Sequence, residues 1–275
     1  MKAKPMFKVR IVLVVVAIAL TIVIFTLPRV VVQNEADNGP IAEPPSSQEN
    51  ILPIVEWPED KIARKTFLTE SFRNNTNNEK STIFADSLAT MYAEMGVYDS
   101  AAWYSAWIAD NTNSSSAVLK AGNMYYEAFE TAHSKNQANM FGEKSRHYLE
   151  LYLQDTPNDA DAKSKVAMTY VASEDAMKGI NMLMDVVREN PEHESALYNL
   201  GVLSMQISQY QKAVERFSKL VEVNPTHVNG HFYLGICYME LKKNADAKAH
   251  FQKAKDLSDE QEIHAAVDNY LEQIK

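Results

Sequence analysis

From about residue 81 to residue 259 the apolar positions fall at helical spacing, in paired segments whose lettering returns. Leu197, Leu200 and Gly201 share one stripe, Ala213 and Phe217 a second, and Pro225 follows. One period of 34 residues later stand His231, Leu234, Gly235 and Tyr238, then Ala247, Phe251 and Ala254, while Pro157, Pro191 and Pro225 keep the same ruler. Apolar residues at i, i+3 and i+4 mark one face of a helix. A fixed period of this length predicts an array of helix hairpins, each burying its apolar face against the next.

Two helices that cross closely leave room only for small side chains. Such positions pair as Ala89 with Ala101, Gly122 with Ser145, Ala167 with Gly179, Gly201 with Ala213, and Gly235 with Ala247. A helical glycine costs roughly 0.5 to 1 kcal/mol against alanine, so Gly122, Gly201 and Gly235 call for close packing that offsets the loss. The lettering resembles the tetratricopeptide repeat (TPR) family. The resemblance implies an all-α fold, a right-handed solenoid of about five hairpins over residues 81–259. Residues 260–275 place Ile263, Val267, Tyr270, Leu271 and Ile274 at helical spacing, as a capping helix with a polar outer face would.

The copies are uneven. The first has Ser105 where a large apolar residue is usual, with Tyr104 or Ile108 available to fill the space. The second carries about eleven residues beyond the normal hairpin, around Ala132 to Phe141, which predicts a lengthened turn or extended helix ends. The third has Lys163 at a usually apolar position.

Toward the N-terminus, residues 11–27 form an apolar run of 17 residues without charge, about 26 Å as a helix. This predicts one transmembrane helix. Lys2, Lys4, Lys8 and Arg10 precede it within residues 1–10, so the N-terminus is expected in the cytoplasm and the repeats across the membrane. A cleaved signal peptide is the competing reading, but the run is long for a signal core and no small-x-small site follows Leu27. A lipoprotein would need a cysteine there, and the single cysteine is Cys237. Residues 28–58 hold six prolines among polar residues, a spacer of roughly 30 Å if flexible. Inside it Ile51 to Trp57 is an apolar island, expected to pack on the first helix of the array or to dock as a peptide. Residues 59–80 read as a further helix and a polar break.

Net charge is −9, and without the first ten residues the chain carries 23 basic and 36 acidic residues. This disfavours nucleic acid as a partner. No catalytic constellation, phosphate loop, cofactor site or small-molecule substrate site is expected. His227 and His231 share a helix face but lack a third metal ligand in the sequence nearby.

What remains is a surface. In the TPR family the first helix of each hairpin lines a concave groove for protein or peptide ligands. Mapped onto this chain, the resemblance implies a groove of Asn123, Tyr126, Met168, Val171, Tyr198, Val202, Met205, Phe232, Ile236 and Met239, apolar and methionine-rich. A chaperone-binding subclass grips a terminal carboxylate with groove cations. Positions Ser195, Tyr198, Asn199, Asn229, Phe232 and Tyr233 offer asparagine but no cation. The expected role is a membrane-anchored adaptor on the extracytoplasmic side, engaged in envelope protein biogenesis. The alternatives are an assembly subunit of a membrane complex or a non-catalytic subunit of an enzyme complex.

Overall fold

The computed structural model describes residues 57–274 apart from positions 76 and 113. The basic N-terminus, the apolar run 11–27 and most of the spacer lie outside the described residues. Among those described there are twelve helices and no strand. None of these helices is long and apolar enough to cross a membrane.

Helix α1 (Glu59–Asn74) precedes five hairpins: α2 (Asn78–Glu94) with α3 (Tyr98–Thr112), α4 (Ser115–Glu130) with α5 (Lys135–Asp155), α6 (Ala160–Val171) with α7 (Ala176–Glu189), α8 (Glu194–Gln206) with α9 (Tyr210–Val223), and α10 (Val228–Glu240) with α11 (Asn244–Asp256). Helix α12 (Gln261–Gln273) closes the series. Every helix packs on its successor, and α4, α6, α8 and α10 also touch in sequence, so the first helices stand side by side.

The hairpin crossings rest on the small positions. A Cβ at Gly201 would lie 2.6 Å from the Phe217 ring, and one at Gly235 would lie 2.5 Å from Phe251, the same pair one period on. Both phenylalanines are fully buried. In the second hairpin Ser145 Oγ donates to the Gly122 carbonyl at 3.0 Å, spending its hydroxyl inside the crossing.

Each inter-hairpin loop repeats one construction. Asp159, His193 and His227, each two residues after a proline of the ruler, cap the next helix. Their side chains accept from the backbone N–H groups of Ala162, Ala196 and Gly230 at 2.9, 3.2 and 2.9 Å. Such a cap satisfies one of the donors that a helix start leaves free.

The turns inside three hairpins share a left-handed residue: Gly96 at φ 71°, Ser208 at 58° and Lys242 at 60°. The residue after each donates back to Tyr92, Ser204 or Tyr238 at 2.9, 2.8 and 2.8 Å, the closing bond of a Schellman turn.

The surplus of the second hairpin goes mostly into helix ends. Ser145 is the eleventh residue of α5, whereas Ala213 is the fourth of α9, so α5 begins about two turns early. Ser105 is buried with no hydrogen-bond partner for its Oγ among the described residues, and Tyr104 and Ile108 are buried as well. Lys163 pairs with Glu189 at 2.7 Å, which places its charge at the surface.

At the ends, Phe72 of α1 is buried edge-on against Trp107, Tyr104 and Trp103 at 4.9, 5.4 and 6.2 Å. Trp57, the last residue of the apolar island, meets Tyr92 at 5.3 Å and carries the Lys65 ammonium 4.5 Å from its ring centre. At the other end α12 buries Val267 completely and stacks Tyr270 on Phe251 at 5.3 Å.

Candidate functional site: a cavity along the first helices

Because α4, α6, α8 and α10 lie side by side, the end of α4 and the starts of the next three converge. They border an open cavity of about 320 Å³. Tyr126 and Glu130 come from α4, Asp161, Ser164 and Lys165 from α6, Glu194, Ser195, Tyr198 and Asn199 from α8, and His227 from the cap of α10.

The polar groups are coupled. Lys165 Nζ donates to Asn123 Oδ1 at 2.7 Å and lies 5.5 Å from the Tyr126 ring centre. The Tyr126 hydroxyl and the Glu130 carboxylate, one turn apart on α4, act on one another electrostatically. Burial pushes the Glu130 carboxyl above the usual carboxylate range, against the opposing pull of that hydroxyl and of Lys165. The Tyr198 phenol is pushed up as well, first by burial and then by Tyr233, with Glu130 adding to it. Its ring leans on His227 and Tyr233 at 5.6 and 5.8 Å. Asp161 meets His193 at 3.1 Å, and Glu194 accepts from Asn224 at 2.8 Å.

Of the ten groove residues expected from the sequence, three belong to this site: Tyr126 and Tyr198 line it and Asn123 anchors its lysine. The other seven pack in the seams. Met168 and Val171 lie against the core around Ala167 and Leu183. Val202 and Met205 lie against Leu197, Phe217 and Leu234. Phe232, Ile236 and Met239 pack on the cluster of Phe251 and Val267, and Phe232 meets Tyr270 of the terminal helix at 5.6 Å. All seven are partly buried, because the next helix covers the side they present.

The polar cavity thus takes Tyr126, Tyr198 and Asn123 from the expected groove, while the other seven residues lie along the seams with part of each side chain exposed. Its one ammonium, Lys165, stands outside the six positions at which the sequence offered no cation. A signal for the missed residues was present. Asp161 and Ser195 occupy equivalent places in the first turns after the capping loops.

Among the described residues no three histidine, cysteine or acidic side chains group as metal ligands. His227 is occupied as a cap, and His231 faces His250, Nδ1 to Nδ1 at 3.1 Å, with its Nε2 3.1 Å from the Pro225 carbonyl oxygen. Burial holds both of these histidines below the usual range and so favours neutral rings. Cys237 is buried, and its thiol is pushed up to about 12.

Stacked hairpins around a polar cavity define a helical repeat protein. Residues 203–262 match the tetratricopeptide repeat family. No curated protein sequence matches the chain. Among solved structures the chain is similar to MamA protein at 17% identity, over 65% of this chain and 92% of that one, with a TM-score of 0.48. It is also similar to MamA from Desulfovibrio magneticus RS-1, at 18% identity over 64% and 94%, with a TM-score of 0.48.

Proposed function

We propose that the chain is an adaptor that holds segments of other proteins in the cavity along its first helices. The observation carrying this reading is the cavity itself: three helices and the cap of a fourth contribute to it, and it combines two tyrosine rings with hydrogen-bonding and charged groups. Sites of this make-up position a ligand by a few polar contacts and bind it through aromatic surface. Nothing in the arrangement asks for turnover of a substrate. The apolar run 11–27, with four positive charges before it, supports a single membrane anchor with the N-terminus in the cytoplasm and the hairpins on the extracytoplasmic side. In a bacterium that side is the periplasm, and envelope protein biogenesis or assembly of a membrane complex are the settings such an adaptor would serve.

The test is site-specific photo-cross-linking in cells. A photoreactive phenylalanine analogue at position 198 should give discrete protein adducts, diminished by Tyr126→Ala. The same group at position 184, where Met184 is half exposed on α7, should give none. Adducts from position 184 alone would place the working surface elsewhere and defeat the reading.

A further inference from the structure

His231 of α10 and His250 of α11 face each other across the last hairpin, Nδ1 to Nδ1 at 3.1 Å, with their ring planes 25° apart. His231 is only 7% exposed, and His250 is half-buried with the Tyr238 ring stacked on it at 5.5 Å. One period earlier the same places hold Leu197 and Arg216. There the charge is permanent and has fixed partners, since the guanidinium donates to the Leu200 carbonyl at 2.8 Å and to Ser204 Oγ. The last hairpin puts a titrating pair in that position.

The contacts fix where the protons sit. A backbone carbonyl only accepts, so His231 Nε2, 3.1 Å from the Pro225 oxygen, carries a proton and donates it. In the neutral ring Nδ1 is then bare, and the facing His250 Nδ1 must donate to it. One added proton has a place to go: His250 Nε2, which leaves the contact between the rings intact. A second has none. It would have to enter the 3.1 Å contact itself, setting two N–H groups head to head between two like charges.

The surroundings oppose charge on both rings. Burial lowers the pKa of His231 first, helped by Lys253 of α11 and by His227 in the loop before α10, against the Pro225 carbonyl. For His250 burial again comes first and His231 second, with Asp246 of α11 pulling the other way. Lys243 lies 5.8 Å from the centre of the Tyr238 ring. Among the described residues no side chain of α9 or α12 is hydrogen-bonded or ion-paired to either histidine. Both folded-state values lie below that of an unfolded histidine. The stability contributed by the neutral pair is therefore complete above about pH 6.5 and is lost as pH falls below it.

We propose that the His231–His250 contact is an acid-sensitive latch on the last hairpin, closed while the pair holds at most one added proton and parted by the second. Phe232 follows His231 in α10 and packs on Phe251 and on Tyr270 at 5.9 and 5.6 Å, so a hairpin that parts also loosens the terminal helix. The latch belongs to the scaffold and does not depend on what the cavity along the first helices holds.

The experiment is hydrogen exchange on the full chain at about pH 7.5 and about pH 5, read by mass spectrometry and corrected for intrinsic exchange rates. Helices α8 and α9 are the internal reference, because they start on the same histidine cap and lack the pair. One proton bound in excess by the parted state multiplies its population by about ten per pH unit. Protection in α10 and α11 should therefore fall at least about tenfold more than in α8 and α9. His250→Gln keeps a hydrogen-bonding side chain that cannot be charged, and His231→Leu copies the preceding hairpin. Each should abolish the excess. A second measurement needs no variant: in the unmodified chain, labelled with nitrogen-15 at histidine, the ring nitrogens report the tautomers. Above the histidine range one ring, that of His250, should be held in the Nδ1–H form, opposite to His231.

Equal loss of protection in the two hairpins, an excess that survives both variants, or the absence of a ring held in the Nδ1–H form would overturn the proposal.

Discussion

Ser208 and Lys242 hold the left-handed backbone that Gly96 holds in the first hairpin, at φ 58° and 60° against 71°. A side chain in that conformation crowds the following carbonyl and costs roughly 1 to 2 kcal/mol, part of which glycine returns through the greater freedom of its unfolded chain. Ser208→Gly and Lys242→Gly should each therefore raise stability by about 0.5 kcal/mol. Gly96→Ala should lower it by about 1 kcal/mol, even though an added Cβ would meet nothing within 4 Å. Denaturant midpoints of the three variants check this, and a loss in both glycine variants would show that the turns are not strained. Only Gly96 carries the residue type that such a turn favours; its two counterparts do not. The reason is physical: the Schellman bond closes whichever residue occupies the place, so serine and lysine serve without a lettering cue.

At the scale of elements, crossings and the period were legible because each depends on a residue type that few others can replace, whereas the caps of the helix starts were not read. Gly201 and Gly235 face phenylalanine rings, and Asp159, His193 and His227 repeat one cap. The early start of α5 was legible only as a surplus, since whether extra residues coil or loop depends on what they can pack against. Phe141, buried in the extension, packs on the core around Tyr125 and Tyr148. The terminal helix α12 was legible from its stripe, and its role can be measured. Removing residues 261–275 would uncover Phe251 and Phe232, which now lie against Tyr270. The truncated chain should lose about 2 to 4 kcal/mol of stability in its last hairpin and tend to associate. A melt and a sedimentation profile matching the parent would mean that the hairpins need no cap.

For the whole molecule, the fold followed from periodicity while the site did not, because the two obey different logic. The residues expected in the groove were chosen by their place within one repeat. At seven of the ten places the apolar side chain is claimed by the neighbouring hairpin or the terminal helix, which a single repeat cannot reveal. The cavity is made by three helices and the cap of a fourth, from residues that differ between copies: Lys165 of one stands where the next has Asn199. Its chemistry is individual where the scaffold is shared.

The shared ruler also makes the chain divisible. Pro191 and Pro225 stand at equivalent points, and Val186 and Val187 of α7 correspond one period later to Leu220 and Val221 of α9. Excising residues 192–225 would splice one loop onto its own copy and set α10 against a helix much like the one it left. The shortened chain should stay helical and fold cooperatively by circular dichroism while losing Glu194, Ser195, Tyr198 and Asn199 with all binding at the cavity. Collapse of the helical signal would mean that the seams are private to their hairpins rather than interchangeable. A length written in whole periods is a quantity that recombination can change in single steps, so the building can be shortened by a storey without redrawing the floors above it.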